Sequence, residues 1–243
     1  MSRPRTVTPE LPSETGVHDG LAYSLWLPAN SKGGVVVLHG AGSCKENHHD
    51  FARAALGADL AAIAFDQRGH GESEGRMDGR ALDDVARMAT LLRDRVGGDG
   101  PAAPIALRGS SMGGYLALVS AAAGHASAVV AICPASAEGL RRGLAEGRFS
   151  FQADEPALAA LLDAHDLRDA IASLEDVPVL LLHAEGDERV PVAHSRQLAS
   201  YSTVAGSELI VISGGHHRSV QHDPDLQAVS IRFIARALRL ADA

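Results

Sequence analysis

The segment 109–114, with the sequence GSSMGG, constrains the fold of this chain more than any other. An apolar, strand-like run precedes it, and a helix-like run rich in Ala and Leu follows it. A Gly-x-Ser-x-Gly pattern at such a junction predicts a very sharp turn, which is possible because Gly109 and Gly113 have no Cβ atoms to clash. The turn would lift the Ser111 hydroxyl above the sheet and direct the first amides of the helix toward the same point. Ser111 is therefore the predicted nucleophile.

Short apolar runs alternate with helix-length segments along most of the chain. Strands are predicted at 34–38, 60–65, 104–107, 128–132, 177–182 and 208–212, and helices at about 46–57, 80–96, 112–123, 192–203 and 224–240. This alternation indicates βαβ units in a doubly wound parallel sheet. Residues 21–27 instead alternate so that Leu21, Tyr23, Leu25 and Leu27 share one face, which predicts an antiparallel edge strand. We predict one α/β domain over residues 1–243.

The stretch 137–174 is longer than an ordinary crossover between two strands. Its apolar residues fall near helical spacing, at Leu158, Leu161, Leu162, Leu167 and Ile171. Because it follows the carboxyl end of a strand, we predict two or three short helices that form a small lid over the site. The alternative is one ordinary crossover helix with long loops.

Composition narrows the class of protein. The net charge is −8 with both signs interspersed, which argues against a nucleic-acid or anionic-membrane partner. Residues 1–20 contain no apolar signal segment, and the quasi-apolar stretch 116–133 is interrupted by Gly124. Two cysteines, Cys44 and Cys133, do not make a disulfide framework. We expect a reduced, cytoplasmic protein, and the sequence leaves its oligomeric state open.

The 12 histidines raise the question of a metal site. They are scattered, without His-Glu-x-x-His or Cys-x-x-Cys spacing, so no metal is predicted.

A serine nucleophile needs a base within hydrogen-bond reach and an acid that orients the base. In an open parallel sheet these groups lie at the carboxyl ends of strands. Asp187 follows the strand 177–182 in a Gly-Asp turn and is the predicted acid, although it could instead cap the next helix. Glu185 and Glu188 are the alternative carboxylates.

The last predicted strand, 208–212, runs into the sequence SGGHH. His217 stands where a strand-to-helix loop usually presents its base, and His216 is the alternative. The order Ser111, Asp187, His217 is that expected for a hydrolase built on such a sheet.

Acyl transfer also requires donors for the tetrahedral oxyanion. The backbone N–H of Met112, at the start of the predicted helix, is one candidate. The loop 39–42, with the sequence HGAG, supplies the second, for which we select the N–H of Ala41.

These motifs, together with the segment 65–73 (FDQRGHGES), resemble the α/β-hydrolase superfamily over roughly residues 20–240. Within it, the chain is similar to small serine esterases, dienelactone-hydrolase-like proteins and serine-aminopeptidase-like proteins. The resemblance implies an α/β-hydrolase fold with an eight-stranded, mostly parallel sheet, and no cofactor. For Asp66 and Arg68 it favours a loop-holding role.

The residue at the sharp turn is a serine, Ser111. Dehalogenases have Asp and dienelactone hydrolases have Cys at this position, so the serine indicates acyl chemistry. We expect a serine hydrolase that cleaves a small or medium acyl ester through an acyl-enzyme, with a small molecule as its partner. A peptidase, amidase or thioesterase of the same fold is the alternative. A binding protein that kept the fold and lost the chemistry is a further one.

Overall fold

One eight-stranded sheet forms the centre of the computed structural model, which describes residues 9–97 and 102–239. The strands are β1 (Glu14–His18), β2 (Leu21–Trp26), β3 (Gly34–Leu38), β4 (Ala61–Phe65), β5 (Ile105–Ser110), β6 (Ala126–Ile132), β7 (Val179–Ala184) and β8 (Glu208–Ile212). Their order is β1-β2-β4-β3-β5-β6-β7-β8. β2 pairs antiparallel with β1 and β4, and all other pairs are parallel. The predicted fold class is confirmed.

Helices connect the parallel strands. They are α1 (His49–Leu56), α2 (Ala81–Gly97), α3 (Met112–Val119), α4 (Ala137–Ala145), α5 (Glu155–Ala164), α6 (Leu167–Ala172), α7 (Val192–Ala199), α8 (Ser219–His222) and α9 (Pro224–Ala237). A 3₁₀ turn, Lys45–His48, leads into α1. Within the described residues, none of these helices has the length and apolar character that crossing a membrane requires.

Several details differ from the sequence-based prediction, among them α7, which ends at Ala199 rather than at 203. β1 was not predicted, because alternate residues of this edge strand are exposed and it carries no apolar run. The prediction of β2 as the edge strand is therefore wrong: β2 is antiparallel, as predicted, but lies between β1 and β4. α3 ends at Val119 rather than at 123, since residues beyond Ser120 form turns in which the Gly124 N–H donates to the Ser120 carbonyl. The predicted end of the last helix, residue 240, lies outside the described residues.

The sheet is buried on both faces, which explains why its central strands are continuously apolar. The neighbouring residues Val35 and Val36 of β3 point into different clusters of the core. Val36 packs with residues of α2 and α3, whereas Val35 packs with residues of α1 and α9. Helices therefore cover both faces, as the doubly wound prediction requires.

The stretch 137–172 contains three helices, α4 to α6, so a single crossover helix is the wrong description. The Tyr115 hydroxyl of α3 donates to the carbonyl of His165 over 2.8 Å. Farther back in the segment, the Gln152 N–H donates to the carbonyl of Gly69 over 3.0 Å. These contacts hold the helical segment against α3 and against the loop that follows β4.

The register of the parallel strands brings four carboxyl ends to one rim. Ser110 of β5 pairs with Ile132 of β6, and Ala184 of β7 pairs with Ile212 of β8. The residues directly after these ends carry the predicted chemistry.

Candidate active site

Ser111 lies in a strained turn between β5 and α3. Its φ of 55° and ψ of −118° are unusual for a residue with a side chain, and such conformations persist only where neighbouring structure enforces them. Its N–H donates to the Ile132 carbonyl over 2.9 Å, and its carbonyl accepts from the N–H groups of Tyr115 and Ala135. The turn also needs its glycines, because a Cβ on Gly109 would overlap the carbonyl of Gly113.

The Asp187 carboxylate is fully enclosed and accepts hydrogen bonds on both oxygens. Oδ1 accepts from the backbone N–H groups of Arg189 (2.8 Å) and Val190 (2.9 Å). Oδ2 accepts from Nδ1 of His217 over 2.7 Å, and the Asp187 side chain has no exposed surface. Burial by itself would raise the pKa of this carboxyl, but the nearby His183 ring and the hydrogen bonds from His217 and the two backbone groups hold it far below its ordinary value. Asp187 is therefore ionised.

His217 has the orientation that a general base requires. Because a carboxylate can only accept, Nδ1 of His217 carries the proton that it donates to Asp187. In the neutral ring this leaves the lone pair on Nε2. The His217 backbone N–H donates to a Glu188 carboxylate oxygen over 3.0 Å, which fixes the loop.

The alternative residues occupy other positions. His216 is exposed, and its N–H donates to the hydroxyl of Ser219 over 3.0 Å. Glu185 lies 3.5 Å from the guanidinium of Arg196, and Glu188 contacts the His217 backbone rather than its ring. The structure thus brings Asp187, and neither glutamate, to the imidazole of His217.

The third contact of the predicted triad is not made in this conformation. Among the described residues, no hydrogen bond joins the Ser111 hydroxyl to the His217 ring. Such contacts are often long in ligand-free enzymes and shorten when substrate binds. The hydrogen bond between His217 and Asp187 is therefore in place, whereas the one between Ser111 and His217 is not.

The loop 39–42 lies against Ser111. A Cβ on Gly40 would stand 3.4 Å from the Cβ of Ser111, so the backbone there approaches Ser111 closely. His39 anchors the loop: its Nδ1 donates to the Gly40 carbonyl over 2.8 Å, and its Nε2 accepts from the Gln67 N–H over 3.0 Å. Burial, with a smaller contribution from His70, lowers the pKa of His39 to about 4, so the ring is neutral.

Asp66 and Arg68 hold loops, the role that the resemblance favoured. The Asp66 carboxylate accepts from both the backbone N–H (2.7 Å) and the ammonium (2.9 Å) of Lys45. Arg68 forms a two-pronged ion pair with Asp84, at 2.7 and 3.0 Å. Together these bonds fix the loops on either side of β4.

Sequence reasoning missed two buried neighbours of Asp187. The imidazole of His183 is fully buried, with Nε2 3.4 Å from Oδ2 of Asp187. The Cys133 thiol lies with Asp187 and His217 in a cluster whose donor atoms are all within 4.8 Å of one another. Burial raises the pKa of Cys133, so it is a neutral thiol, and the Asp187–His217 proton already occupies the atoms a metal would need. Only its spacing of four residues before Asp187 could have singled out His183.

A small apolar pocket lies beside the turn at Ser111. Met112 and Tyr115 of α3 form its floor, and Leu140, Phe149, Leu161 and Leu162 of the helical segment cover it. Met112 directly follows Ser111, the predicted nucleophile, so this pocket lies next to the predicted reaction centre.

Comparisons with known proteins agree with this fold. The family model described as "Serine aminopeptidase, S33" matches residues 29–148. The α/β hydrolase GrgF from Penicillium sp. sh18 superposes with a TM-score of 0.72 at 15% identity, over 93% of this chain and 98% of that one. The chain has the α/β-hydrolase fold.

Two curated relatives of this chain are lipases. Human monoglyceride lipase is 35% identical over 143 residues, which cover 55% of this chain and 47% of the human enzyme. The monoacylglycerol lipase of Mycolicibacterium smegmatis is 27% identical over an alignment of 254 residues, covering 86% of this chain and 89% of that enzyme. The chain thus spans about half the length of the human relative.

Proposed function

We propose that this α/β hydrolase is a serine esterase that cleaves carboxylic esters with small or medium acyl groups. The observation that carries the proposal is the buried hydrogen bond from His217 to Asp187, on the same rim as the strained Ser111. Two relatives named as monoglyceride or monoacylglycerol lipases support ester chemistry.

In the proposed reaction, Nε2 of His217 takes the hydroxyl proton of Ser111 as its oxygen attacks the ester carbonyl. Backbone N–H groups of Met112 and Ala41 stabilise the oxyanion. The intermediate collapses to an acyl-serine, and the imidazolium gives its proton to the leaving alcohol. Water, deprotonated by the same imidazole, then releases the carboxylic acid and regenerates Ser111.

The apolar cavity next to Met112 is the proposed site of the acyl chain. Its lining is almost entirely hydrocarbon, which suits an alkyl chain and provides no partner for a charged group. Because α4 and α5 contribute its cover, we propose that the segment 137–174 acts as a lid within a single domain.

The family model's description favours one competing function, an aminopeptidase. Such an enzyme cleaves an amide and needs a group that binds the substrate's free amino terminus. Hydrolysis of an aminoacyl p-nitroanilide at a higher kcat/KM than p-nitrophenyl butyrate would favour it over the esterase.

The proposal is tested with p-nitrophenyl acetate, butyrate and octanoate. We expect hydrolysis by the unmodified chain, no turnover by Ser111→Ala and unchanged turnover by Ser200→Ala, a substitution of an exposed serine far along the chain. A fluorophosphonate should label Ser111, located by mass spectrometry. Labelling at another residue, or activity in Ser111→Ala, would show that the wrong nucleophile was assigned.

A further inference from the structure

His183 occupies a buried position that the reaction outlined above does not use. It lies near the end of β7, is 0% exposed, and makes contacts through both ring nitrogens. Nδ1 is 2.7 Å from the hydroxyl of Ser195, and Nε2 is 2.9 Å from the carbonyl of Val190. The same Nε2 is 3.4 Å from Oδ2 of Asp187, the oxygen that accepts from His217.

These partners determine the tautomer of His183. A backbone carbonyl can only accept, so in the neutral ring the proton is on Nε2 and is donated to the Val190 carbonyl, while Oδ2 of Asp187 lies 3.4 Å from the same nitrogen. Nδ1 is then an acceptor, and the Ser195 hydroxyl donates to it. Ser195 is also 0% exposed, so no water competes for this bond.

We propose that His183 is a positioning residue for the triad: its Nε2–H holds the Asp187 carboxylate and the Val190 carbonyl in the arrangement that His217 needs. The inference rests on the proposed function of the site. His183 touches no substrate and moves no proton; it acts through Asp187.

The turn from Asp187 to Val190 shows why this donor matters. Oδ1 of Asp187 is held by the Val190 N–H, and the Val190 carbonyl is held by His183, so one ring fixes both sides of the turn. Without that donor, a buried carbonyl loses its partner and Oδ2 keeps His217 alone. The carboxylate could then rotate about its Oδ1 contacts and draw the imidazole of His217 out of line with Ser111.

Other titratable groups face this cluster and bear on any pH measurement. They are the Cys133 thiol after β6, the Glu188 carboxylate at the His217 backbone, and His194 of α7, whose pKa is lowered by burial and by His183. None of them replaces the hydrogen bond that His183 makes to Val190.

Two substitutions of His183 separate positioning from simple packing. In His183→Gln the side-chain amide NH₂ reaches the place of Nε2 and keeps the donor, whereas in His183→Asn the amide reaches only the place of Nδ1. We expect His183→Gln to keep kcat for p-nitrophenyl butyrate within a few-fold of the unmodified enzyme. His183→Asn should lose on the order of 10²-fold in kcat, the size of effect that a small misplacement of reacting groups produces.

A measurement that needs no turnover accompanies the kinetics. The Nδ1 proton of His217, hydrogen-bonded to Asp187, should give a downfield NMR resonance that persists in His183→Gln and shifts or broadens in His183→Asn. His48→Gln is the matched control, since His48 is as deeply buried (2% exposed) but has no hydrogen bond to the triad. It should leave both kcat and the resonance unchanged.

Equal behaviour of His183→Gln and His183→Asn, in either direction, would overturn the inference, because the donor at Nε2 would then not be the cause. If the unmodified chain cleaves no ester, the esterase proposal fails, and the NMR comparison still decides whether His183 orients Asp187. Thermal unfolding of each variant identifies any that fail to fold, in which case the resonance is compared between the remaining variant and the unmodified chain.

Discussion

Nδ1 of His217 lies 2.7 Å from Oδ2 of Asp187, whereas the adjacent His216 is exposed and bonded only through its backbone to Ser219. The two neighbouring histidines therefore have different environments. This difference gives the first prediction. His217→Ala should lower kcat for p-nitrophenyl butyrate by at least about 10⁴-fold, while His216→Ala should change it by only a few-fold. Comparable losses in steady-state assays of the two variants would contradict the assignment of the base.

The Asp187 carboxyl, whose pKa is held far below its ordinary value, remains charged wherever the protein is folded. The acid limb of kcat/KM should therefore report protonation of a histidine and not of Asp187. Asp187→Asn should keep the fold and lose about 10⁴-fold in kcat, because an amide can donate to Nδ1 and so favours the wrong tautomer. Wild-type-like turnover in this variant, measured across the pH range, would exclude Asp187 as the acid.

Acid should destabilise the protein through His39. Its pKa is about 4 when folded against 6.5 ordinarily, so between these values the unfolded chain binds more protons than the folded one. The stability is complete above the ordinary pKa and is lost as pH falls toward the folded value. We expect His39 alone to account for a loss of about 2 kcal/mol between about pH 7.5 and about pH 5, measured by urea unfolding.

The comparison variants for that measurement are His39→Asn and His125→Asn. The first should flatten the pH dependence of the unfolding free energy. The second should leave it unaltered, because His125 is exposed and its φ of 46° is one that asparagine tolerates. An unaltered slope in His39→Asn would refute the assignment to His39.

The sharp turn around Ser111 should not tolerate a side chain at Gly113. A methyl group at Gly113 would overlap the carbonyl of Leu38, and backbone cannot move aside as a flexible side chain does. We expect Gly113→Ala to lose at least about 3 kcal/mol of stability, or to fail to fold, since overpacking typically costs about 1–3 kcal/mol even against side chains. Gly79→Ala is the control, because nothing lies within 4 Å of a Cβ there. Thermal melts of the two should differ clearly.

Leu162 should influence which acyl chains are cleaved. Leu162→Ala enlarges the apolar cavity and is expected to raise the ratio of octanoate to acetate hydrolysis. It should also cost about 2–5 kcal/mol of stability. Leu198→Ala, equally buried but outside the cavity lining, should lose comparable stability with an unchanged ratio. If the ratio of octanoate to acetate hydrolysis changes equally in both variants, the acyl chain does not bind in this cavity.

Much of the fold was predictable because local signals coincide with the final structure. The apolar runs that predicted β3 and β4 are buried on both faces, so no alternation was needed to recognise them. β1 escaped prediction because an edge strand with one exposed face needs neither an apolar run nor β-branched residues. The end of α3 was misplaced because Ala and Ser after Val119 are compatible with both helix and turn.

The candidate site also has features that the sequence predicts and features that depend on the tertiary structure. The glycines around Ser111 and the order of Ser111, Asp187 and His217 could be seen in the sequence, since steric exclusion and chain order are local properties. The pairing of His217 rather than His216 with Asp187 depends on the path of a loop, which the contact of Glu188 with the His217 backbone fixes across 29 positions.

The amino-acid sequence by itself determined a doubly wound sheet and a serine held at a strand-to-helix turn, because burial and backbone sterics act between near neighbours. Only the tertiary structure placed His183 and Cys133 against Asp187. The reason is physical: a hydrogen bond in a buried site depends on distances of a few tenths of an ångström between groups far apart along the chain. Those distances are set only when the strands pair in the folded sheet and bring their following loops together.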